Sequence, residues 1–153
     1  MKAAKEAIWI HIDGRPIPKP RMTRADRWKQ RPCVLRYRKY ANDIIEAYMK
    51  KRLKIKKFDK QRPVSMGFRF YFAGDPTSDL DNIIKGIKDA LKGYALEDDN
   101  VRIVQSYFQV DVMFVDCSSC PEALSKKGEM LKRPRCVILK CPKQMASVGF
   151  LEI

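Results

Sequence analysis

The sequence predicts an α+β fold, expected to be a mixed β-sheet flanked by helices and built as a single domain over residues 1–153. Three observations carry that prediction. Val64, Met66, Phe68, Phe70 and Phe72 alternate with Ser65, Gly67, Arg69 and Tyr71, the two-residue period of a strand with one face in the core. Leu80, Ile83, Ile84, Ile87 and Leu91 follow at helical spacing. The 153 residues, 45% of them hydrophobic, suffice for one core, and neither an internal repeat nor a low-complexity linker divides them.

The elements follow in chain order. Ile8, Ile10 and Ile12 alternate with Trp9, His11 and Asp13 and predict a half-buried strand ended by Asp13-Gly14. The prolines of Pro16-Ile17-Pro18 hold the next stretch extended. From about Leu35 to Leu53, the residues Tyr40, Ala41, Ile44, Ile45, Tyr48 and Met49 take helical spacing. Lys50, Lys51, Arg52, Lys54, Lys56 and Lys57 crowd the end of that helix, where cations complement its dipole. After the strand ending at Phe72, Gly74-Asp75-Pro76 breaks the chain, and Thr77 or Ser78 caps a helix that runs to about Lys92 and stops on Gly93. Tyr94 and Leu96 lead into Glu97-Asp98-Asp99-Asn100. Val104, Phe108, Val110, Val112 and Phe114 predict a long strand, with Ser106 on the same face. A polar, irregular connection covers about residues 115–134, with a helical turn around Glu122–Lys127. Arg135–Lys140 reads as a last strand closed by Pro142, and Ser147–Ile153 offers no pattern that assigns it an element.

Charge narrows the function. Thirty-two Lys+Arg against eighteen Asp+Glu leave a formal net charge of +14, which points to a polyanionic partner. The chain has no long apolar run, and Met1–Asp13 has no signal-peptide core, so a membrane role is not expected and a cytoplasmic, nucleic-acid-binding protein is. Five cysteines, an odd number, fit reduced thiols rather than a disulfide framework. The densest cationic run forms a basic loop over about residues 19–39: Lys19, Arg21, Arg24, Arg27, Lys29, Arg31, Arg36, Arg38 and Lys39, opposed only by Asp26. Trp28 and Tyr37 are interleaved, so the run can track phosphates and stack on bases. A solvated linker pinned by its aromatics is the competing reading. Mutual repulsion among so many uncompensated cations argues for phosphate contact.

Within this basic chain aspartates gather at Ser78-Asp79-Leu80-Asp81-Asn82 and at Glu97-Asp98-Asp99. Asp81, Lys85 and Asp89 share one helix face, opposite the aliphatic stripe, while Asp79 stands at the helix entrance. If the Asp99 loop folds back over that entrance, three carboxylates meet near one lysine. Carboxylates so close repel unless a hard cation relieves them, and Mg²⁺ is the natural occupant. Such an ion polarises a phosphate and lowers the pKa of bound water, and Lys85 would steady the developing negative charge. Two bland readings stand beside this one. Aspartates in a first helical turn are common caps, and Asp81–Lys85 has the spacing of an ordinary surface ion pair.

Asp79-Leu80-Asp81-Asn82, Lys85, Asp89-Ala90-Leu91 and Asp98-Asp99 followed by Val101 together resemble the RusA family of Holliday junction resolvases. Gly14-Arg15-Pro16-Ile17-Pro18-Lys19-Pro20-Arg21 is similar to the early loop of its phage-type members, and the likeness spans about residues 8–114 plus the last strand. The resemblance implies a RusA-like fold and a homodimer. It also implies Mg²⁺-dependent cleavage of four-way junction DNA by paired, symmetric nicks. Carried over residue by residue, it names Asp79, Asp81, Lys85 and Asp99 as catalytic, with Asp79, Asp81 and Asp99 on the metal and Asp98 as the alternative to Asp99. The connection after Asp116 is longer than in short members and carries two cysteines.

Two rival functions remain: a non-catalytic DNA-binding protein, and a metal-dependent nuclease acting on other branched DNA. A zinc site of Cys117, Cys120, Cys136 and Cys141 is not expected, because Cys136 and Cys141 sit five apart on an expected strand and point to opposite faces. His11, the single histidine, reads as packed or solvated. Asp89 is expected to support the site by pairing with Lys85 or Lys92.

Overall fold

The computed structural model describes residues 5–28, 31–73, 78–115 and 143–153. These form strands β1 (Ile8–Asp13), β2 (Val64–Ala73), β3 (Val104–Val115) and β4 (Met145–Glu152), helices α1 (Pro32–Met49) and α2 (Leu80–Leu91), and a single 3-10 turn at Arg24–Arg27. The strands make one sheet in the order β1-β4-β2-β3. β2 and β3 are parallel, joined by α2, whereas β4 runs antiparallel to both β1 and β2. The sheet is therefore mixed, as expected. The connection over residues 116–142, with the helical turn and the Arg135–Lys140 strand expected there, lies outside the described residues.

Register sorts the side chains onto two faces. Ile10 and Ile12 of β1 pair with Val148 and Ala146 of β4, which pair in turn with Phe68 and Phe70 of β2. These residues are at most 2% exposed and share one cluster with Tyr40, Ile44 and Tyr48 of α1 and Ile83, Ile87 and Leu91 of α2. Both helices thus pack on the side of the sheet carrying these residues. α1 starts at Pro32, earlier than its apolar spacing suggests, because proline is tolerated in a first turn where its missing N–H has no partner to lose.

The opposite face is built around two facing glycines. Gly67 of β2 is the register partner of Gly149 of β4. A Cβ on Gly67 would lie 2.4 Å from the Phe108 ring, and one on Gly149 would lie 3.0 Å from both Phe108 and Trp9. Phe108 meets Trp9 edge-to-face at 5.7 Å, and the Arg69 guanidinium sits 4.4 Å above Trp9.

Two expectations fail here for identifiable reasons. Phe108 does not share a face with Val110, Val112 and Phe114. A register shift between Met66 and Gly67 leaves Phe108 as the extra residue of a bulge, turned over the glycines. Ser147–Ile153, which carries no strand pattern, lies almost wholly within β4, an inner strand of the sheet. Ala146, Ser147, Val148 and Gly149 are all buried, so neither face shows the polar alternation that marks a half-exposed strand.

Candidate active site and basic surface

The acidic head of α2 projects into solvent. Asp79, Asp81 and Lys85 are exposed, while Ile83, Ile84 and Ile87 of the same helix are buried beneath them. Asp79 itself is the N-cap residue, with extended backbone (φ −70°, ψ 133°), in place of the Thr77 or Ser78 expected from sequence. Its carbonyl accepts the Ile83 N–H at 3.2 Å, but its carboxylate makes no capping hydrogen bond. Among the described residues, neither Asp81 nor Lys85 enters an ion pair. Among the described residues, these aspartates make neither a side-chain capping hydrogen bond nor an ion pair.

The strand leading to this head is held at its last residue. Arg15 donates to the Ala73 carbonyl at 3.2 Å, and the Gln144 side-chain oxygen accepts the Ala73 N–H at 3.1 Å. The Gln144 carbonyl accepts the Gly14 N–H at 3.0 Å, and Gln144 is 1% exposed. Sequence reasoning missed both residues. Arg15 had a weak signal in its Gly14-Arg15-Pro16 setting, and Gln144 had none.

The basic segment is docked along the flank of α2 formed by Asn82, Gly86 and Asp89. The Lys19 ammonium lies 2.6 Å from Asp89, and the Lys19 N–H points to the Asn82 carbonyl at 3.4 Å. Tyr37 donates its hydroxyl to the Gly86 carbonyl at 2.8 Å. Gly86 permits this approach, since a Cβ there would come within 3.0 Å of the Tyr37 ring and 3.2 Å of the Lys19 side chain. Burial, together with the Asp89 charge, pushes the Tyr37 hydroxyl up to about 12. Asp89 therefore pairs with Lys19 and not with Lys85 or Lys92.

Not every cation of the run faces outward. Arg31 grips the buried Asp26 through Nε at 2.7 Å and Nη2 at 2.8 Å, and its Nη2 also donates to the Arg21 carbonyl at 2.7 Å. Thr23 adds its N–H at 2.6 Å and its hydroxyl at 3.1 Å to Asp26. The Arg31 hydrogen bonds, then that N–H, hold the Asp26 carboxyl far below the usual carboxylate range. Lys19 and Arg31 thus each hold an internal ion pair, Arg31 while remaining exposed. Arg21, Arg24, Arg27, Arg36 and Arg38 are exposed as well, and Lys29 lies outside the described residues.

The third expected carboxylate stands elsewhere. Lys92, just past the end of α2, reaches Asp98 at 3.0 Å and Asp99 at 3.4 Å. The Lys92 hydrogen bond, first among several, holds the Asp98 carboxyl well below its ordinary value. This turn precedes β3, whose first residue Val104 pairs with Val64 at the start of β2, whereas Asp79 follows the end of β2. The 12-residue helix α2, roughly 18 Å long, separates the two acidic groups. Among the described residues no three His, Cys, Asp or Glu side chains come together to hold a metal ion. The single histidine bonds Ser147 Oγ through Nδ1 at 2.8 Å, and Cys117, Cys120, Cys136 and Cys141 lie outside the described residues.

The described residues thus form a mixed-sheet α+β domain with an exposed acidic helix head and a cationic segment docked on the same helix. Family comparison makes this specific: the profile of endodeoxyribonuclease RusA matches residues 13–113. The chain belongs to the RusA family of DNA endonucleases. No curated protein matches it significantly. Among the described residues, no helix is long and apolar enough to cross a membrane.

Proposed function

We propose that the protein is a Mg²⁺-dependent endonuclease that resolves four-way DNA junctions as a homodimer, placing paired symmetric nicks. The supporting observation is that Asp79, Asp81 and Lys85 stand exposed, with no side-chain cap and no ion pair among the described residues, at the head of the helix that also docks the basic segment. Mg²⁺ suits such a donor set, because it binds through one or two carboxylates and fills its remaining positions with water and phosphate oxygens. Asp79 and Asp81 would hold it, and its chemistry there is to polarise the scissile phosphate and make bound water more acidic.

The chain's own groups supply the rest. Lys85 brings a mobile positive charge to the phosphate as negative charge builds on its oxygens. A carboxylate oxygen not spent on metal accepts the proton of the attacking water. Water adds to phosphorus, the P–O3′ bond breaks, the departing O3′ takes a proton from solvent, and the products are a 5′-phosphate and a 3′-hydroxyl. Arg21, Arg24, Arg27, Arg36 and Arg38 hold phosphates of the arms and confer salt-dependent affinity.

Asp99 enters this scheme from a second copy. Within one protomer it is paired with Lys92 and stands beyond the far end of α2, so completing the set of Asp79, Asp81 and Asp99 calls for a partner chain. A two-fold dimer also delivers one site to each of two opposed strands. A purified sample should nick a synthetic four-way junction only with a divalent ion, and Asp81→Asn should bind the junction without cutting it. Undiminished cleavage by Asp81→Asn would overturn the site.

A further inference from the structure

Trp28 is 87% exposed, which its own fold does not explain. An indole offers one of the largest apolar surfaces of any side chain and is ordinarily packed or partnered. Here the backbone beneath it is fixed. The Trp28 N–H donates to the Ala25 carbonyl at 3.0 Å, closing the 3-10 turn, and the Asp26–Arg31 clasp braces that turn against the start of α1. Arg24 and Arg27 border the ring around an open recess of about 450 Å³. The other aromatic of the basic run, Tyr37, is committed to Gly86 and half-buried. Among the described residues of the run, this leaves one exposed aromatic face, flanked by two exposed guanidiniums on a hydrogen-bonded turn.

We propose that Trp28 stacks on a base laid open at a DNA branch point while Arg24 and Arg27 take the flanking phosphates, so that this indole selects branched DNA over continuous duplex. The inference rests on the nucleic-acid reading above and deepens it. Cations that track phosphates bind duplex arms and junctions alike, so they confer affinity without selectivity. Within a duplex each base face is covered by its neighbours. At a crossover the stack is interrupted, and an aromatic presented there gains contact that duplex does not offer.

The test is binding in EDTA, where no cleavage occurs, to a synthetic four-way junction and to a duplex of equal length. Trp28→Ala should weaken junction binding by about 10- to 100-fold, the range of one base–aromatic stack, and leave duplex binding within about twofold. Trp28→Phe should recover most of the loss. Arg24→Ala and Arg27→Ala should weaken both DNAs alike and shallow the salt dependence. 5-Bromouracil at the branch point should photo-crosslink to Trp28, and the same base in mid-arm should not. Equal loss on both DNAs, unchanged junction binding, or no branch-point crosslink would overturn the proposal. So would a shift in oligomeric state on Trp28→Ala, which would make the indole a protein contact. A wild type without junction preference in EDTA overturns it as well, whereas failure to cut with Mg²⁺ strikes only the nuclease reading.

Discussion

Lys19 and Asp89, 70 positions apart in the chain, form an ion pair at 2.6 Å that clamps the basic segment to the helix bearing Asp81 and Lys85. The pair is partly sheltered, at 31% and 18% side-chain exposure. A double-mutant cycle of Lys19→Met and Asp89→Asn in urea unfolding should give a coupling of about 0.5–1 kcal/mol. A coupling of zero would show that the pair does not hold the segment.

Tyr37 makes the same docking pH-dependent. Its hydroxyl titrates near 12 in the fold, above the ordinary value of 10.0. A pKa raised on folding means that the protonated form is the one stabilised. The contribution is therefore complete below about pH 10 and is lost as pH rises through 12, when the donor to Gly86 disappears next to Asp89. Stability should decline over that window, and Tyr37→Phe should flatten part of the decline. Equal slopes for the two proteins would refute this.

The Gly67–Gly149 trough is sterically closed to a methyl group. Gly67→Ala should cost about 1–3 kcal/mol in thermal unfolding, because Phe108 must leave its seat. Phe108→Leu in the same chain should restore most of that loss. An alanine variant as stable as wild type would place the ring elsewhere in solution.

At the acidic head, Asp79→Asn and Asp81→Asn should each reduce junction cleavage about 100-fold or more, since even outer partners of a metal site cost about 10- to 100-fold. Lys85→Met should cost about 100- to 1,000-fold in rate, the size of a lost charge stabiliser. Junction binding in EDTA should persist in all three, checked by gel shift.

Complementation tests the origin of Asp99. Asp81→Asn and Asp99→Asn chains are each expected to be inactive alone. A mixed dimer would hold one intact site, with Asp79 and Asp81 from one chain and Asp99 from the other. It should nick junctions without resolving them. Recovery of full paired cleavage, or of none, would argue against a shared site. Asp98→Asn in parallel decides which of the adjacent aspartates is used.

Residues close in sequence made much of this protein legible. The stripe Leu80, Ile83, Ile84, Ile87 and Leu91 set α2 and turned Asp81 and Lys85 outward, because a helix resolves its faces within a few residues. The alternation from Val64 to Phe72 set β2 for the same reason, and the excess of Lys and Arg announced a polyanionic partner. Tertiary structure alone decided the rest. β4 became an inner strand although Ala146, Ser147 and Gly149 show no polar alternation, since burial on both faces erases that period. A bulge turned Phe108 against Trp9. Pairing with Asp89 and Asp26 withdrew Lys19 and Arg31 from the free cations, and Lys92 held Asp98 and Asp99 beyond the end of α2. Periodicity and charge are local properties of the chain, whereas which carboxylate meets which cation depends on where the fold brings the chain back on itself.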